Sequence, residues 1–317
     1  MSIKMKNLLT HLQHPNSTKD YQAEDEADAI KISEYWGRRI DQNQKPKISF
    51  ELFPPKSDSA NKLLKKTHQK LSEINPDYFS VTFGALGLSQ NDTFDTVADL
   101  SENTKIPIIP HLTCVGIDKK QVTDLLDEYI AQGVSQIMVL KGDYPKTIIK
   151  KGDFNYANEM VEFIKENYFD INILVAAYPE KHPHSNCIST DIDFFVNKVN
   201  AGADKAVTQY FYNIDAYLHF IEEVQKRNID IPITPGIMPI TNYDQLIYFS
   251  KTCGAEIPAW ILNKLKLYKN DLNSLKEFGE DVVSEMCLKL KDNGVSSFHF
   301  YCLNKAEPTL SIVKKIT

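Results

Sequence analysis

From Lys47 onward, short apolar runs typical of buried strands alternate with longer segments in which apolar residues recur at helical spacing. Residues 122–130 show the helical pattern, and Gly133 follows them as a stop signal. The strand-like runs are 48–52, 78–83, 106–112, 136–140, 171–177, 205–210, 231–234 and 296–301. Strands separated by helices in this way predict βαβ units and a parallel sheet.

The number of runs and the length of the chain favour a closed barrel. A (β/α)8 TIM barrel typically needs about 250 residues, and residues 47–317 supply that length. We therefore predict an α/β fold in which 47–317 form the barrel domain and 1–46 form an N-terminal extension with one helix over 27–40. The long interval 257–293 predicts an additional helix or two before the last strand. A doubly wound open sheet is the alternative.

The composition of the chain argues against several classes of protein. The chain has 317 residues, 42% of them hydrophobic and 25% charged, with a net charge of −6, which argues against nucleic acid as the main ligand. No apolar run approaches the roughly 18 residues of a membrane helix, and the N-terminus lacks the apolar core of a signal peptide. Five scattered cysteines, none in a C-x-x-C pair, are typical of reduced thiols. We expect a cytoplasmic protein that binds no membrane.

Glu51 lies near the carboxyl end of the first predicted strand, which the Pro54-Pro55 pair ends because proline supplies no N–H to a sheet. A carboxylate among apolar neighbours must find a partner, or its pKa rises until it becomes a usable acid. Two interpretations stay open on these residues alone. Glu51 is either a catalytic acid or a side chain that pairs with a lysine or faces solvent.

Other predicted strands also end in polar residues, and in a barrel these ends share one face. These residues are Thr82, His111, Lys141, Asp143, Tyr178, Glu180, His182, His184 and Gln209. The chain has neither a G-x-G-x-x-G dinucleotide fingerprint nor a P-loop. His182 and His184 lack a placed third ligand, so we predict no metal site. The pattern indicates a barrel enzyme with acid–base carboxylates and aromatic surfaces.

An ordered set of motifs spans residues 47–317. They are Ser49-Phe50-Glu51 with Phe53-Pro54-Pro55, Ser80-Val81-Thr82 with Gly84-Ala85, Pro110-His111-Leu112-Thr113-Cys114, Gly142-Asp143, Ala176-Ala177-Tyr178-Pro179-Glu180, Thr208-Gln209, Pro235-Gly236-Ile237, and Phe298-His299-Phe300-Tyr301 with Leu303-Asn304. In this order they resemble the motifs of the bacterial methylenetetrahydrofolate reductase family. Its members are FAD-dependent (β/α)8 flavoproteins. The resemblance implies ping-pong hydride transfer from NADH or NADPH, with NADH favoured, through FAD to 5,10-methylenetetrahydrofolate. The 5-methyltetrahydrofolate formed supplies methyl groups for methionine synthesis, and a homo-oligomer is expected.

The resemblance also assigns residues. It implies that Glu51 is the general acid and that Asp143 approaches flavin and pterin, although Asp143 could instead cap the next helix. The implied FAD-binding residues are Phe83, Ala85, His111, Lys141, Gly142, Asp143, Ala157, Tyr178, His182, Ser185, Asp191 and Lys198. The implied substrate contacts are Thr82, Gln209, Gln245, Phe249 and Lys305, and Phe249 could instead be a core residue.

Several positions depart from the family pattern. Lys141 and Lys305 stand where arginines are expected, which keeps the charge and loses the bidentate fork. The other departures are Phe83 for tyrosine, Phe194 for asparagine, Asn197 for arginine and Ser185 for alanine. Two other functions remain as alternatives. One is a flavin-free barrel lyase or aldolase with Lys141 or Lys205 as a Schiff-base lysine, and the other is a non-catalytic binding barrel.

Overall fold

Eight parallel strands close into a barrel in this computed structural model, which describes residues 45–83, 90–142 and 152–317. The strands follow chain order, and β8 pairs with β1 to close the ring. They are β1 (Lys47–Leu52), β2 (Tyr78–Val81), β3 (Ile108–Thr113), β4 (Gln136–Leu140), β5 (Asn172–Ala177), β6 (Lys205–Tyr210), β7 (Ile233–Ile237) and β8 (Ser297–Tyr301). The predicted (β/α)8 barrel is confirmed, and the open-sheet alternative is wrong.

Helices follow the strands in the described part of the chain. They are α1 (Asp58–Ser72), α2 (Gln90–Ser101), α3 (Lys119–Ala131), α4 (Ala157–Asn167), α5 (Ile188–Asn200), α6 (Ile214–Gln225), α7 (Tyr243–Cys253), α8 (Ala259–Leu267), α9 (Leu272–Asp292) and α10 (Thr309–Ile316). Helices α8 and α9 fill the long interval before β8, as predicted. Each helix in these residues is too short or too polar to cross a lipid bilayer.

Local signals in the sequence explain where several helices begin. Ser57 caps α1, since its hydroxyl oxygen accepts a hydrogen bond from the backbone N–H of Ala60. Asp118 and Gln121 form a reciprocal capping box at the start of α3. Each cap satisfies backbone donors that have no partner inside the helix.

The two faces of each strand serve different parts of the molecule. Ile48, Phe50 and Leu52 of β1 belong to the large apolar core beneath the helices. Because successive side chains alternate across a strand, Ser49 and Glu51 point into the barrel. A separate apolar cluster of Ile109, Met138, Leu174 and Val207 fills the interior on the side of β3 to β6. The opposite side, formed by β8, β1 and β2, is therefore where polar groups can collect.

Strand β7 differs from the sequence prediction, which ended it at residue 234 before Pro235. The strand continues to Ile237, with a register irregularity in the facing part of β6. The Gly236 N–H donates to the Thr208 side-chain oxygen over 2.9 Å, so a hydroxyl takes the place of a regular ladder acceptor. A Cβ on Gly236 would lie 2.1 Å from the Thr208 carbonyl oxygen, so only glycine fits this close approach.

Other strand boundaries shift by one or two residues, chiefly at β2 and β3. Strand β3 begins at Ile108, after Pro107, because proline has no N–H to give to the ladder. Strand β2 ends at Val81, although the Thr82 N–H still donates to the Leu52 carbonyl oxygen over 3.0 Å. The N-terminal helix predicted over 27–40 lies outside the described residues, so the two-part domain division stays a prediction.

Candidate active site

Glu51 lies on β1 near the carboxyl end of the strand and points into the barrel mouth. Its side chain is 23% exposed, and its Oε2 lies 3.9 Å from Nε2 of His111 on β3. Among residues 45–83, 90–142 and 152–317, no lysine or arginine nitrogen lies within 4.0 Å of this carboxyl group. The lysine-pair interpretation of Glu51 therefore finds no support in the geometry.

Burial sets the protonation of both side chains. It raises the pKa of Glu51 to about 8, because the ionised carboxylate is poorly solvated there. The same cause lowers the pKa of His111 to about 3, since burial disfavours the imidazolium. At neutral pH, Glu51 therefore holds its proton and His111 is uncharged. Nε2 of His111 is buried without a hydrogen-bond partner among the described residues, so it is available to a ligand as an acceptor or a donor, according to the tautomer.

A polar network lies one layer deeper in the barrel, below Glu51. Ser49 Oγ lies 2.8 Å from His299 Nδ1, and Ser80 Oγ lies 3.5 Å from His299 Nε2. Tyr78 stacks on the His299 ring at 5.6 Å between centroids, and Tyr301 meets that ring edge-on at 5.3 Å. Burial, together with His111, lowers the pKa of His299 to about 3, so the ring is neutral. This network fills the polar half of the interior and supports the strand that carries Glu51.

A second cluster surrounds Asp191 on α5 and collects four of the predicted FAD-binding residues. Its Oδ1 accepts a hydrogen bond from the Ser185 hydroxyl over 2.6 Å, and its Oδ2 accepts one from the His182 backbone N–H over 3.0 Å. Lys198, further along α5, donates its ammonium to the Ala176 carbonyl oxygen. Burial lowers the pKa of Lys198 to about 8, although Asp191 opposes the shift. Hydrogen bonds to the carboxylate of Asp191 and from the ammonium of Lys198 thus tie α5 to β5 and to the loop after it.

Aromatic and histidine rings cover this cluster. Tyr178 meets the His182 ring edge-on, with the centroids 4.7 Å apart. Burial lowers the pKa of His182, and Asp191 works against that shift. The His184 backbone N–H donates to His182 Nδ1 over 3.1 Å, so the two histidines form a loop pair. The described residues contain no group of three or more side chains able to hold a metal ion.

Lys141 and Gly142 follow β4 at the same end of the barrel. The Lys141 ammonium lies 4.9 Å from the centre of the exposed Tyr156 ring. Gly142 has φ +79°, and a Cβ there would lie 2.8 Å from Cβ of Thr113, so this turn favours glycine. Ala157 begins α4 next to Tyr156 and is buried. These residues flank the barrel mouth where the predicted FAD contacts after β4 should be.

The predicted substrate contacts are spread over β6, α7 and the loops after β2 and β8. Thr82, a predicted substrate contact, and Phe83, a predicted FAD contact, follow β2 and are half-buried. The Gln209 side-chain oxygen accepts a hydrogen bond from the Tyr210 backbone N–H over 3.0 Å, so its NH2 group remains to meet a ligand. Phe249 is half-buried on α7 and packs against the main core, which keeps the core-residue interpretation open.

Gln245 and Lys305 line one groove of about 790 Å3 between α7, α9 and the loop after β8. Gln245 lies in the first turn of α7, and its backbone N–H donates to the cap residue Asn242 over 2.8 Å. Lys305 is exposed. Lys276 and three glutamates, Glu277, Glu280 and Glu307, line the same groove, so its charge is mixed.

Asp143 and Ala85 lie outside the described residues, so their predicted roles stay predictions. Sequence reasoning assigned no role to Ser49, His299 or Asn304, although all three occur in the motifs quoted above. All three are buried polar residues: Ser49 and His299 lie within β1 and β8, and Asn304 lies in the loop after β8. Buried polar groups need partners, and that requirement was the available signal for their importance.

The comparisons with known proteins agree with this geometry. Residues 37–317 match the family model described as methylenetetrahydrofolate reductase. A Buchnera aphidicola (subsp. Schizaphis graminum) protein named 5,10-methylenetetrahydrofolate reductase is 38% identical, over 85% of this chain and 91% of its own. The Escherichia coli K12 protein of the same name is 33% identical, over 84% of this chain and 88% of its own.

A solved structure also matches the fold. It is an uncharacterized Clostridium thermocellum protein described as binding two copies of 5-methyl-5,6,7,8-tetrahydrofolic acid, and it aligns with a TM-score of 0.59. The alignment covers 86% of this chain and 94% of that one, at 16% identity, and so supports the barrel fold alone. The family match and the relatives more than 30% identical decide the relationship: this chain belongs to the methylenetetrahydrofolate reductase family.

Proposed function

We propose that this protein reduces 5,10-methylenetetrahydrofolate to 5-methyltetrahydrofolate in a ping-pong reaction, with NADH as the favoured reductant and FAD as the bound hydride carrier. Family membership supports the overall reaction, since the relatives carry the name of that enzyme. The product serves as a methyl donor for methionine synthesis. The five free cysteines support a reducing compartment such as the cytoplasm.

The observation that carries the proposal is the protonated carboxyl of Glu51 at the barrel mouth. Its pKa near 8 keeps a proton available at neutral pH, and a general acid works best when its pKa lies near the operating pH. Reduction of the one-carbon bridge requires the five-membered folate ring to open. Glu51 delivers its proton to the ring nitrogen that leaves, while neutral His111 places no positive charge beside the acid.

The residues at the mouth fit FAD. The buried Nε2 of His111 has no hydrogen-bond partner among the described residues, and the buried ammonium of Lys198 supplies positive charge for phosphate groups. Lys141, Tyr178 and His182 offer a further cation and two ring surfaces in the same region. These residues would hold the cofactor, which when bound accepts a hydride from the nicotinamide and returns it to the one-carbon unit.

The remaining residues orient the substrate. Gln209 presents its amide NH2 from β6, and an amide can bond either a pterin edge or a nicotinamide. Gln245 and Lys305 line one groove, and we assign both residues to substrate binding. We also propose Thr82 and Phe249 as substrate contacts. The further proposed cofactor contacts are Phe83, Gly142, Ala157, Ser185 and Asp191. For Asp143 and Ala85, the roles in FAD binding, and in catalysis for Asp143, remain predictions. A homo-oligomer is also retained as a prediction.

The position of Lys205 argues against one form of the lyase alternative. Lys205 begins β6, so it lies at the amino end of the barrel, away from the mouth. Its ammonium donates to the Gln136 side-chain oxygen over 3.2 Å and is exposed there. A Schiff-base lysine needs a desolvated site at the reacting end. Lys141 lies at that end, over the Tyr156 ring.

Purification with FAD tests the proposal directly. The protein is expected to bind FAD, to lose its flavin absorbance on anaerobic addition of NADH, and to recover it when methylenetetrahydrofolate is added. NADPH in place of NADH compares the two reductants. A protein that binds no FAD would contradict the proposal, and so would a reduced flavin that methylenetetrahydrofolate leaves reduced.

A further inference from the structure

Asn304 connects the loop after β8 to the end of β1 through both atoms of its side-chain amide. Its Oδ1 accepts a hydrogen bond from the Phe53 backbone N–H over 3.0 Å, and its Nδ2 donates to the Phe53 carbonyl oxygen over 2.8 Å. A side chain thus reproduces the two bonds that a neighbouring strand would make. Asn304 is 8% exposed and Phe53 is 39% exposed, so both bonds are partly shielded from water.

This contact lies just beyond the point where the β1–β8 pairing ends. The regular pairing of β1 with β8 ends at Glu51, which lies opposite Tyr301. Cys302 adds one weak contact, from its thiol to the Glu51 carbonyl oxygen over 3.2 Å. Pro54 and Pro55 follow Phe53 and have no N–H, so Phe53 is the last backbone donor before both prolines. Beyond Glu51, the side-chain amide of Asn304 therefore supplies the hydrogen bonds to the β1 backbone that strand β8 no longer makes, and the prolines end the ladder.

Asn304 is itself held from a third side. Its carbonyl oxygen accepts a hydrogen bond from the Thr67 hydroxyl of α1 over 3.1 Å. Its φ of +53° lies in the left-handed region, which asparagine tolerates better than most residues. The preceding Leu303 has φ +52°, and the Lys305 N–H donates to the Cys302 carbonyl oxygen over 3.0 Å, so the loop is a tight turn.

We propose that Asn304 is a positioning residue for the acid Glu51, acting through Phe53. The amide fixes the backbone two residues after Glu51 and so keeps the largely buried carboxyl group in its place near His111. The same loop carries Lys305 into the substrate groove, so one amide ties the acid to the substrate-binding wall. The effect expected on folate reduction rests on the proposed function. The effect expected on the environment of the Glu51 carboxyl group does not.

The substitution Asn304→Gly tests the inference, because glycine adopts the positive φ without strain and removes only the amide. Flavin reduction by NADH should stay within about twofold of wild type, while folate reduction by the reduced enzyme falls by about 10²-fold, the usual cost of a misplaced catalytic group. In a Glu51→Gln background the same substitution should change folate reduction by less than about twofold, because the acid it positions is absent. Equal losses in both half-reactions, or a full further loss in the Glu51→Gln background, would overturn the inference.

A titration that needs neither FAD nor folate separates this inference from the proposed function. Infrared difference spectra of the Glu51 carboxyl group, with Glu51→Gln as the blank, should show the pKa of Glu51 falling by about one unit or more in Asn304→Gly as water reaches the group. The matched control is Asn75→Gly, which alters an exposed asparagine with φ +51° that lies outside the mouth. An unchanged Glu51 pKa in Asn304→Gly would refute the positioning role, whether or not the protein reduces folate.

Discussion

The pKa of Glu51 gives a quantitative prediction for the folate half-reaction. The perturbation is pH, raised from 6 to 10 with pre-reduced enzyme. Burial places the Glu51 pKa at about 8 instead of the ordinary value of 4.5, and only the protonated form can act as the acid. The rate of folate reduction should therefore be level below pH 8 and fall about tenfold for each pH unit above it.

The size of the effect follows from the two pKa values. At pH 7 a carboxyl group with a pKa of about 8 is about 90% protonated, whereas one with a pKa of 4.5 would be about 0.3% protonated. Burial thus raises the supply of acid about 300-fold at neutral pH. This factor lies within the 10²–10⁴-fold range usual for general acid catalysis.

Stopped-flow measurement of flavin reoxidation is the assay, with flavin reduction by NADH as the internal comparison. Glu51→Gln should lower folate reduction by about 10²–10⁴-fold, remove the inflection near pH 8, and leave flavin reduction nearly unchanged. A wild-type rate that already falls about tenfold per pH unit from pH 6, or an equal loss in both half-reactions of Glu51→Gln, would contradict a Glu51 pKa near 8.

Stability gives a second measure of the same group. The folded pKa of Glu51 is raised, so its contribution to stability is fully present below pH 4.5 and is lost as the pH rises through about 8. The free energy of unfolding should therefore fall less steeply over this pH interval in Glu51→Gln than in wild type. Urea denaturation at several pH values measures the difference, and identical slopes would contradict the raised pKa.

Three further substitutions probe the structure around the acid. Gly236→Ala places a Cβ 2.1 Å from the Thr208 carbonyl oxygen, so it should lower the free energy of unfolding by about 1–3 kcal/mol or more in urea denaturation. Ser49→Ala leaves the buried Nδ1 of His299 without its 2.8 Å partner and should cost about 1–3 kcal/mol in the same experiment; a loss below about 0.5 kcal/mol would contradict that hydrogen bond. Lys198→Met removes a buried cation and should weaken FAD binding about tenfold or more in a fluorescence titration, with unchanged circular dichroism; equal FAD affinity would contradict its role.

The regular parts of the barrel could be predicted from the sequence because their signals are local. Alternation in β1 and helical spacing in α3 each follow from which face is buried. The seventh strand could not be bounded in this way, because Pro235 is a local stop signal. Its continuation depends on the Thr208 hydroxyl of the neighbouring strand β6, 28 residues earlier in the chain, which replaces a ladder acceptor.

In the candidate site, too, some features have a local signal in the sequence and others depend on distant contacts. Glu51 was recognisable as an unusual carboxyl group from its neighbours, and the ordered motifs supplied its role. The contact of Asn304 with Phe53 spans 251 residues of sequence, so no local pattern predicts it. The neutral state of His111 likewise depends on burial by the closed barrel and not on adjacent residues.

A single anaerobic mixing experiment tests the proposed reaction most directly. FAD-loaded protein, reduced with one equivalent of NADH and freed of NAD, is mixed with 5,10-methylenetetrahydrofolate at pH 7. We expect the flavin absorbance to return and one 5-methyltetrahydrofolate to form for each flavin reoxidised. A flavin that stays reduced, or reoxidation without 5-methyltetrahydrofolate, would contradict the proposed reaction.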